Sequence, residues 1–314
     1  MQRAFVFPGQ GSQAVGMGKA LAESFTAARE VFQEVDDCLS QKLSAMMFDG
    51  AESDLRLTEN AQPALMAVSM AVMRVLESQG NVQLPRIARF AAGHSLGEYS
   101  ALCAAGALTL ADAARLLKQR GQAMQAAVSV GIGGMSALLG VDLTQAQEIA
   151  AAASQREICA VANDNAPGQA VISGHMTAID RAIAIAAAKG FKRSVKLPVS
   201  APFHCALMQP AAEIMHDALE KVTIRPPALP IIANITALPV SAPEDIRQLL
   251  VQQVTGMVRW RESMLYLKQQ EIEQIVECGA GCVLAGLMKR IDQDVAVLSL
   301  QTPQDIEAFL KTVS

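Results

Sequence analysis

Aromatic side chains are scarce in this 314-residue sequence: nine Phe, two Tyr and one Trp make up 4% of it. The apolar half of the composition is therefore mostly aliphatic and rich in Ala and Met, which predicts numerous helices. Charge is sparse too, at 18%, with a balance of −4. The chain lacks the basic surplus that a general nucleic-acid binder needs to release counterions, so no nucleic-acid partner is expected. The six cysteines (38, 103, 159, 205, 278 and 282) include no CxxC pair and no His/Cys metal spacing. That pattern suits reduced thiols rather than a disulfide framework or a zinc site, and no metal is expected. No charged segment followed by a long apolar run opens the chain. Its uncharged stretch, Gly121–Val141, is broken by five glycines, two glutamines and two serines. Neither a signal peptide nor a membrane span is predicted, and the expected location is cytoplasmic.

What the sequence does have is alternation of strand and helix. Arg3–Phe7 reads as a strand, and helical spacing follows over 27–40 and again over Pro63–Gln79, ending at Gly80. Ile87–Ala92 reads as a buried strand and Leu96–Ala105 as a helix that stops at Gly106. This alternation predicts a mostly parallel sheet covered on both faces. Residues 128–197 change the pattern: strand Gly134–Gly140, helix Leu143–Ser154, strands Ile158–Ala162 and Ala170–Ser173, helix Thr177–Ala188, strand Lys192–Leu197. The order βαββαβ is ferredoxin-like. With hinges at 131–134 and Pro198–Pro202, the expected organisation is an α/β hydrolase-like catalytic domain from 1–127 and 198–314, with 128–197 as an inserted small subdomain. In the second part of the large domain, a strand is predicted at Leu229–Asn234 and others at Gln274–Cys278 and Asp294–Leu298.

Gly93-His94-Ser95-Leu96-Gly97 falls between a predicted strand and helix. GxSxG in that setting is a nucleophile elbow: a sharp turn with small flanks lifts a serine hydroxyl above the sheet edge, at a helix N-terminus that favours a developing oxyanion. The same five residues occur by chance in structural turns, and the strand–turn–helix context favours the functional reading. A serine nucleophile needs a base. His94 lies inside the elbow, His175 follows a strand of the small subdomain, and His216 is mid-helix among charges. His204, in the Pro-kinked Ser200-Ala201-Pro202-Phe203-His204-Cys205, is the strongest candidate. An α/β-hydrolase would place an acid between the serine and the histidine. Asp164 and Asp180 lie in that interval but fall within the small subdomain, so a Ser–His dyad with the ring oriented by a main-chain carbonyl is expected.

Two further features invite more than one reading. In the helix Thr109–Gln125, Arg120 sits at the edge of an apolar stripe beside Gly121. It is either a snorkelling or salt-bridged structural residue or a clamp for a substrate carboxylate. Near the N-terminus, Gly9-x-Gly11-x-x-Ala14 after a strand looks like a dinucleotide fingerprint. That motif wants an acid ending a second strand roughly twenty residues on, whereas residues 29–34 here have helical spacing. The loop instead suits the second half of an oxyanion hole, with the Gln10 N–H brought in by its flanking glycines and paired with the Leu96 N–H.

Together these parts resemble the malonyl-CoA:acyl carrier protein transacylases. The resemblance covers nearly the whole chain: "FPGQGSQ", "LTENAQPAL" at 57–65, "GHSLGEYSAL" at 93–102, and "RGQAMQ" at 120–125. "NDNAPGQAVISG" at 163–174, "PFHCALM" at 202–208 and "ECGAGCVLAGLMKRI" at 277–291 continue it in order. It implies Ser95 as acyl carrier, His204 as base, Gln10 and Leu96 as oxyanion donors, Arg120 as ligand of the malonyl carboxylate, and Gln253 beside His204 supplying the carbonyl. "TGMVRW" at 255–260 replaces a more usual Pro-containing turn, a departure just after Gln253. Malonyl-CoA is then a substrate, no cofactor is expected, and the acceptor is the thiol of an acidic acyl carrier protein. Phe203 is expected to narrow the space beside the acyl α-carbon, with plain core packing as its alternative. Lys189, Lys192, Arg193 and Lys196 form the densest basic cluster. They are a possible carrier docking site or, alternatively, a solvated strand edge that resists aggregation. Other activities sharing this chemistry are a polyketide or malonate decarboxylase acyltransferase and, further off, a serine thioesterase or esterase.

Overall fold

The computed structural model describes residues 1–199 and 201–313. Ser200, part of the predicted hinge and of the motif before His204, lies outside the described residues, as does Ser314. In chain order the strands are β1 (Arg3–Phe7), β2 (Phe90–Gly93), β3 (Gly133–Leu139), β4 (Cys159–Ala166), β5 (Gln169–His175), β6 (Arg193–Lys196), β7 (Ile231–Ile232), β8 (Pro239–Val240), β9 (Gln274–Cys278) and β10 (Ala296–Leu300).

Six strands form one sheet in the order β10-β9-β1-β2-β7-β8, parallel throughout except for the β7–β8 pair. β1 is central, and its sequence shows why. Phe5 and Phe7 enter one large core, while Ala4 and Val6 face a second core containing Trp260, Ile275 and Leu284. A strand buried on both faces reads as a continuous apolar run rather than an alternating one. The other sheet, β4-β5-β3-β6, is antiparallel. The helices Leu143–Ser154 and Met176–Ala188 cover one face of it, with Leu138, Ile149, Ile172 and Ile179 between. Met135, Ala137 and Val171 on its other face pack into the large core. The βαββαβ succession is the one predicted for residues 128–197.

Three local expectations change. Residues 84–87 form one helical turn, and the strand starts only at Phe90. Pro85 sets the first turn of that helix, which overrides the apolar run. The expected strand 229–234 pairs only at Ile231 and Ile232. The helix read as starting at Pro63 begins at Thr58 and runs through the proline to Gly80. Proline is commonest at a helix start, which misplaces the beginning by five residues. That extra turn stacks Thr58 and Gln62 on one side of the helix, four residues apart.

Candidate active site

The elbow is built by two glycines and one asparagine. A Cβ on Gly93 would lie 1.8 Å from the Gly97 carbonyl oxygen, and one on Gly97 would lie 2.2 Å from that of Phe7. Only glycine lets the turn between β2 and the helix Gly97–Ala104 close this tightly. Ser95 takes φ +54°, a left-handed conformation that costs about 1 kcal/mol or more for a residue with a side chain. Asn234, just beyond β7, holds it there. Its Oδ1 accepts from the Ser95 N–H at 2.7 Å and its Nδ2 donates to the Gly93 carbonyl at 2.7 Å.

His204, also left-handed at φ +58°, places Nε2 2.8 Å from Ser95 Oγ. Its Nδ1 lies 2.8 Å from the main-chain carbonyl oxygen of Gln253. A carbonyl can only accept, so Nδ1 bears the ring proton and Nε2 offers a lone pair. The Ser95 hydroxyl therefore donates to Nε2. Burial pushes the ring's pKa down from 6.5 to about 3, helped by the positive charge of Arg120. The imidazole is neutral at physiological pH. Asp164 is ion-paired with Arg261 and Asp180 with Lys196, so neither serves the ring. Orientation by a carbonyl is the arrangement the missing acid predicts.

Arg120 lies on the helix Leu110–Ala126 and is 1% exposed. Its Nη1 donates to Gln62 Oε1 at 2.7 Å, and its Nη2 donates to Gln253 Oε1 at 2.8 Å and to Ser95 Oγ at 3.1 Å. The guanidinium carbon lies 5.8 Å from the centre of the Tyr99 ring. Among the described residues Nε has no partner and no carboxylate forms an ion pair with this side chain. A buried cation without a counter-ion is costly unless a ligand supplies one. The snorkelling and salt-bridged readings therefore do not describe it. Gly121 is the reason the helix can sit here, since a Cβ would lie 2.4 Å from the Glu59 backbone.

Gln253 joins the two halves of the site. Its Nε2 donates to the Ser95 carbonyl at 3.0 Å and to Glu98 Oε2 at 2.8 Å, which turns its Oε1 toward Arg120. Glu98 is buried and also accepts from the Asn234 N–H at 3.1 Å. Burial pushes its pKa up to about 7 against these hydrogen bonds. The irregular "TGMVRW" sequence leaves this geometry undisturbed: Gly256 ends the helix Pro243–Thr255, and Val258 bridges to Asn163.

The opening loop meets the elbow from the side. A Cβ on Gly9 would lie 2.6 Å from the His94 carbonyl oxygen, and Gly11 adopts φ +106°. Among the described residues neither the Gln10 N–H nor the Leu96 N–H is paired with an acceptor. Both residues line a cavity of about 320 Å³ together with Ser95, Arg120, Phe203 and His204. Met124, Met135, Leu197 and Val199 make its apolar wall. Phe203, 8% exposed, is at once wall and core, so its two readings merge.

His94 borders the cavity, with Nε2 2.8 Å from Asn165 Oδ1 and its ring 5.5 Å from that of Trp260. The basic cluster is divided. Lys196 pairs with Asp180 and Lys189 lies 3.6 Å from Glu148, whereas Lys192 and Arg193 are exposed and unpaired among the described residues. Four participants escape sequence reasoning: Thr58, Gln62, Glu98 and Asn234. Thr58 and Gln62 are hidden by the misplaced helix start, although their spacing of four is the signal that marks a shared helix face. Glu98 is legible only as an acid one turn after the elbow, and Asn234 comes from a distant strand end.

A hydroxyl paired to a neutral imidazole, facing two free N–H groups on a parallel sheet, defines a hydrolase-like α/β protein built for acyl-group chemistry. Residues 4–300 match the acyl transferase domain family. The malonyl CoA-acyl carrier protein transacylase of Bacillus subtilis is 40% identical over 311 residues, covering 99% of this chain and 96% of that protein. The crystal structure of the acyl-carrier-protein-S-malonyltransferase from Bartonella henselae superposes with a TM-score of 0.97 at 54% identity, covering 100% of this chain and 99% of that one. A malonyl-transacylase in complex with its type II PKS acyl-carrier protein superposes at 0.96 with 38% identity, covering 99% and 100%. The chain belongs to the acyl transferase family, among the malonyl CoA-acyl carrier protein transacylases.

Proposed function

We propose that this protein moves a malonyl group from CoA to the phosphopantetheine thiol of an acyl carrier protein through an ester on Ser95, by a ping-pong route that supplies fatty acid synthesis. The observation that carries this reading is the convergence on one oxygen: Ser95 Oγ lies 2.8 Å from His204 Nε2 and 3.1 Å from Arg120 Nη2. In the first half-reaction His204 takes the hydroxyl proton while Oγ attacks the thioester carbonyl. The oxyanion forms against the Gln10 and Leu96 N–H groups. When the C–S bond breaks, His204 returns its proton to the departing CoA sulfur. In the second half-reaction the carrier thiol gives its proton to His204 and attacks the ester, and Ser95 Oγ leaves with that proton.

Arg120 explains why the acyl group should bear a carboxylate. The malonyl carboxylate supplies the missing counter-ion and takes over the N–H positions that the resting site directs at Ser95 and the cavity. It also cancels part of the field that depresses His204, so the base strengthens when the matching substrate binds. Held in a small cavity against Met124, Met135, Leu197 and Val199, the ester has apolar cover on that side while it waits. The decisive experiment incubates the protein with malonyl-CoA and no carrier, following both acyl-protein mass and free malonate. A stable malonyl adduct on Ser95, absent in Ser95→Ala, is expected. Steady release of malonate without an adduct would make the protein a thioesterase instead.

A further inference from the structure

We propose that Thr58 and Gln62 are positioning residues that lock the oxyanion loop to the buried arginine. Three hydrogen bonds run in one direction: Arg120 Nη1 to Gln62 Oε1 at 2.7 Å, Gln62 Nε2 to Thr58 Oγ1 at 2.9 Å, and Thr58 Oγ1 to Gln10 Oε1 at 2.9 Å. The arginine sets the polarity of the whole chain. Guanidinium can only donate, so Gln62 must present its oxygen to Arg120 and its nitrogen to Thr58. The Thr58 oxygen, accepting from Gln62, is left with its proton to donate. That donation fixes the Gln10 amide with its oxygen inward. Thr58 and Gln62 are each 1% exposed, so water is kept from the bonds on either side of Gln62, and the chain opens toward the cavity at the half-buried Gln10.

The loop needs this tether. Gln10 stands between two glycines, which restrain its backbone less than any other residues would. Gly9 packs against the His94 carbonyl and the Gly11 N–H bonds Gln13 Oε1 at 2.7 Å, but the hold on Gln10 itself is its side chain, and the far end of that hold is the 23-residue helix Thr58–Gly80. Misplacing one oxyanion donor costs about 10²–10³ in rate, so a partial loss of aim is readable in kcat. A substrate carboxylate on Arg120 and an oxyanion at Gln10 are joined by the same three bonds. The inference rests on the proposed malonyl transfer, because it is the thioester oxygen of that reaction that the Gln10 N–H meets.

The test measures Ser95 loading at varied malonyl-CoA in the native protein, Thr58→Val and Thr58→Ser. Valine keeps the shape and deletes both bonds at residue 58. Its kcat should fall about tenfold, with KM within twofold and the melting temperature nearly unchanged. Serine keeps the hydroxyl and should restore kcat to within about threefold. Should the valine variant not fold, Thr58→Ala deletes the same two bonds without touching Arg120 and carries the same expectation. Native-like kcat in the cut variants overturns the relay alone, as does a change confined to KM or to the melting temperature. Failure of the native protein to load malonyl overturns the proposed function and the relay with it.

Discussion

At the residue scale the site is governed by one buried cation. Arg120 donates to Ser95 Oγ, lowers the pKa of His204, and orients two glutamines, yet no carboxylate pairs with it among the described residues. Its influence on His204 has a measurable sign. The ring's pKa is lowered from 6.5 to about 3, so the folded protein holds a neutral imidazole in the interval where the unfolded chain is protonated. Stability contributed by this residue is present above pH 6.5 and is lost as pH falls toward 3. The acid limb of kcat/KM should correspondingly lie well below 6.5 for the free enzyme. Replacing the cation in Arg120→Gln should move that limb upward by about one pH unit when loading is followed with acetyl-CoA, which has no carboxylate to bind. An unmoved limb would show that burial alone sets the base.

At the scale of elements, the chemistry is held by two loops that only glycine allows to touch. A Cβ on the two elbow glycines would lie 1.8 and 2.2 Å from neighbouring backbone, and one on Gly9 would lie 2.6 Å from the His94 carbonyl oxygen. Gly9→Ala must therefore displace the Gln10 loop from the elbow. Because the chain beyond Gly9 turns outward, with Gln10 half-buried and Gly11 exposed, the loop can shift, and kcat for loading should fall about 100-fold while the melting temperature stays within a few degrees. Gly11 faces open space and is constrained only by its φ of +106°, so Gly11→Ala should cost less. Equal rates for native protein and Gly9→Ala would remove this loop from the oxyanion hole. The elbow and the opening loop are legible in sequence because each is marked by glycines whose spacing has few physical uses. The start of the helix Thr58–Gly80 is not legible, because Pro63 imitates a helix boundary while the tertiary contacts of the first turn keep it helical.

At the scale of the molecule, no helix among the described residues is long and apolar enough to cross a membrane. The small antiparallel sheet closes one side of the cavity through Met135 and Asn163, and Leu197 follows its edge strand β6. That edge leaves Lys192 and Arg193 exposed and unpaired among the described residues. Lys189 and Lys196 have acids of their own subdomain close by. An acidic carrier would meet the free pair first. Lys192→Glu with Arg193→Glu should raise the carrier's KM about tenfold and leave loading from malonyl-CoA unchanged. Equal effects on both half-reactions would argue for a structural role.

The sequence by itself determined the strand–helix alternation and the βαββαβ succession over residues 128–197, and it singled out Ser95, His204 and Arg120. Each of these rests on local physics: periodicity, turn chemistry, or a residue type that is expensive in the wrong place. Only the tertiary structure decided what holds them. Asn234 comes 139 residues after Ser95, and Gln253 comes 133 after Arg120. Contacts of that separation depend on how the sheet orders its strands and how the helices pack over it, which no window along the chain contains. The arginine's missing counter-ion is of the same kind: an absence around a side chain becomes visible only when every neighbour is in place.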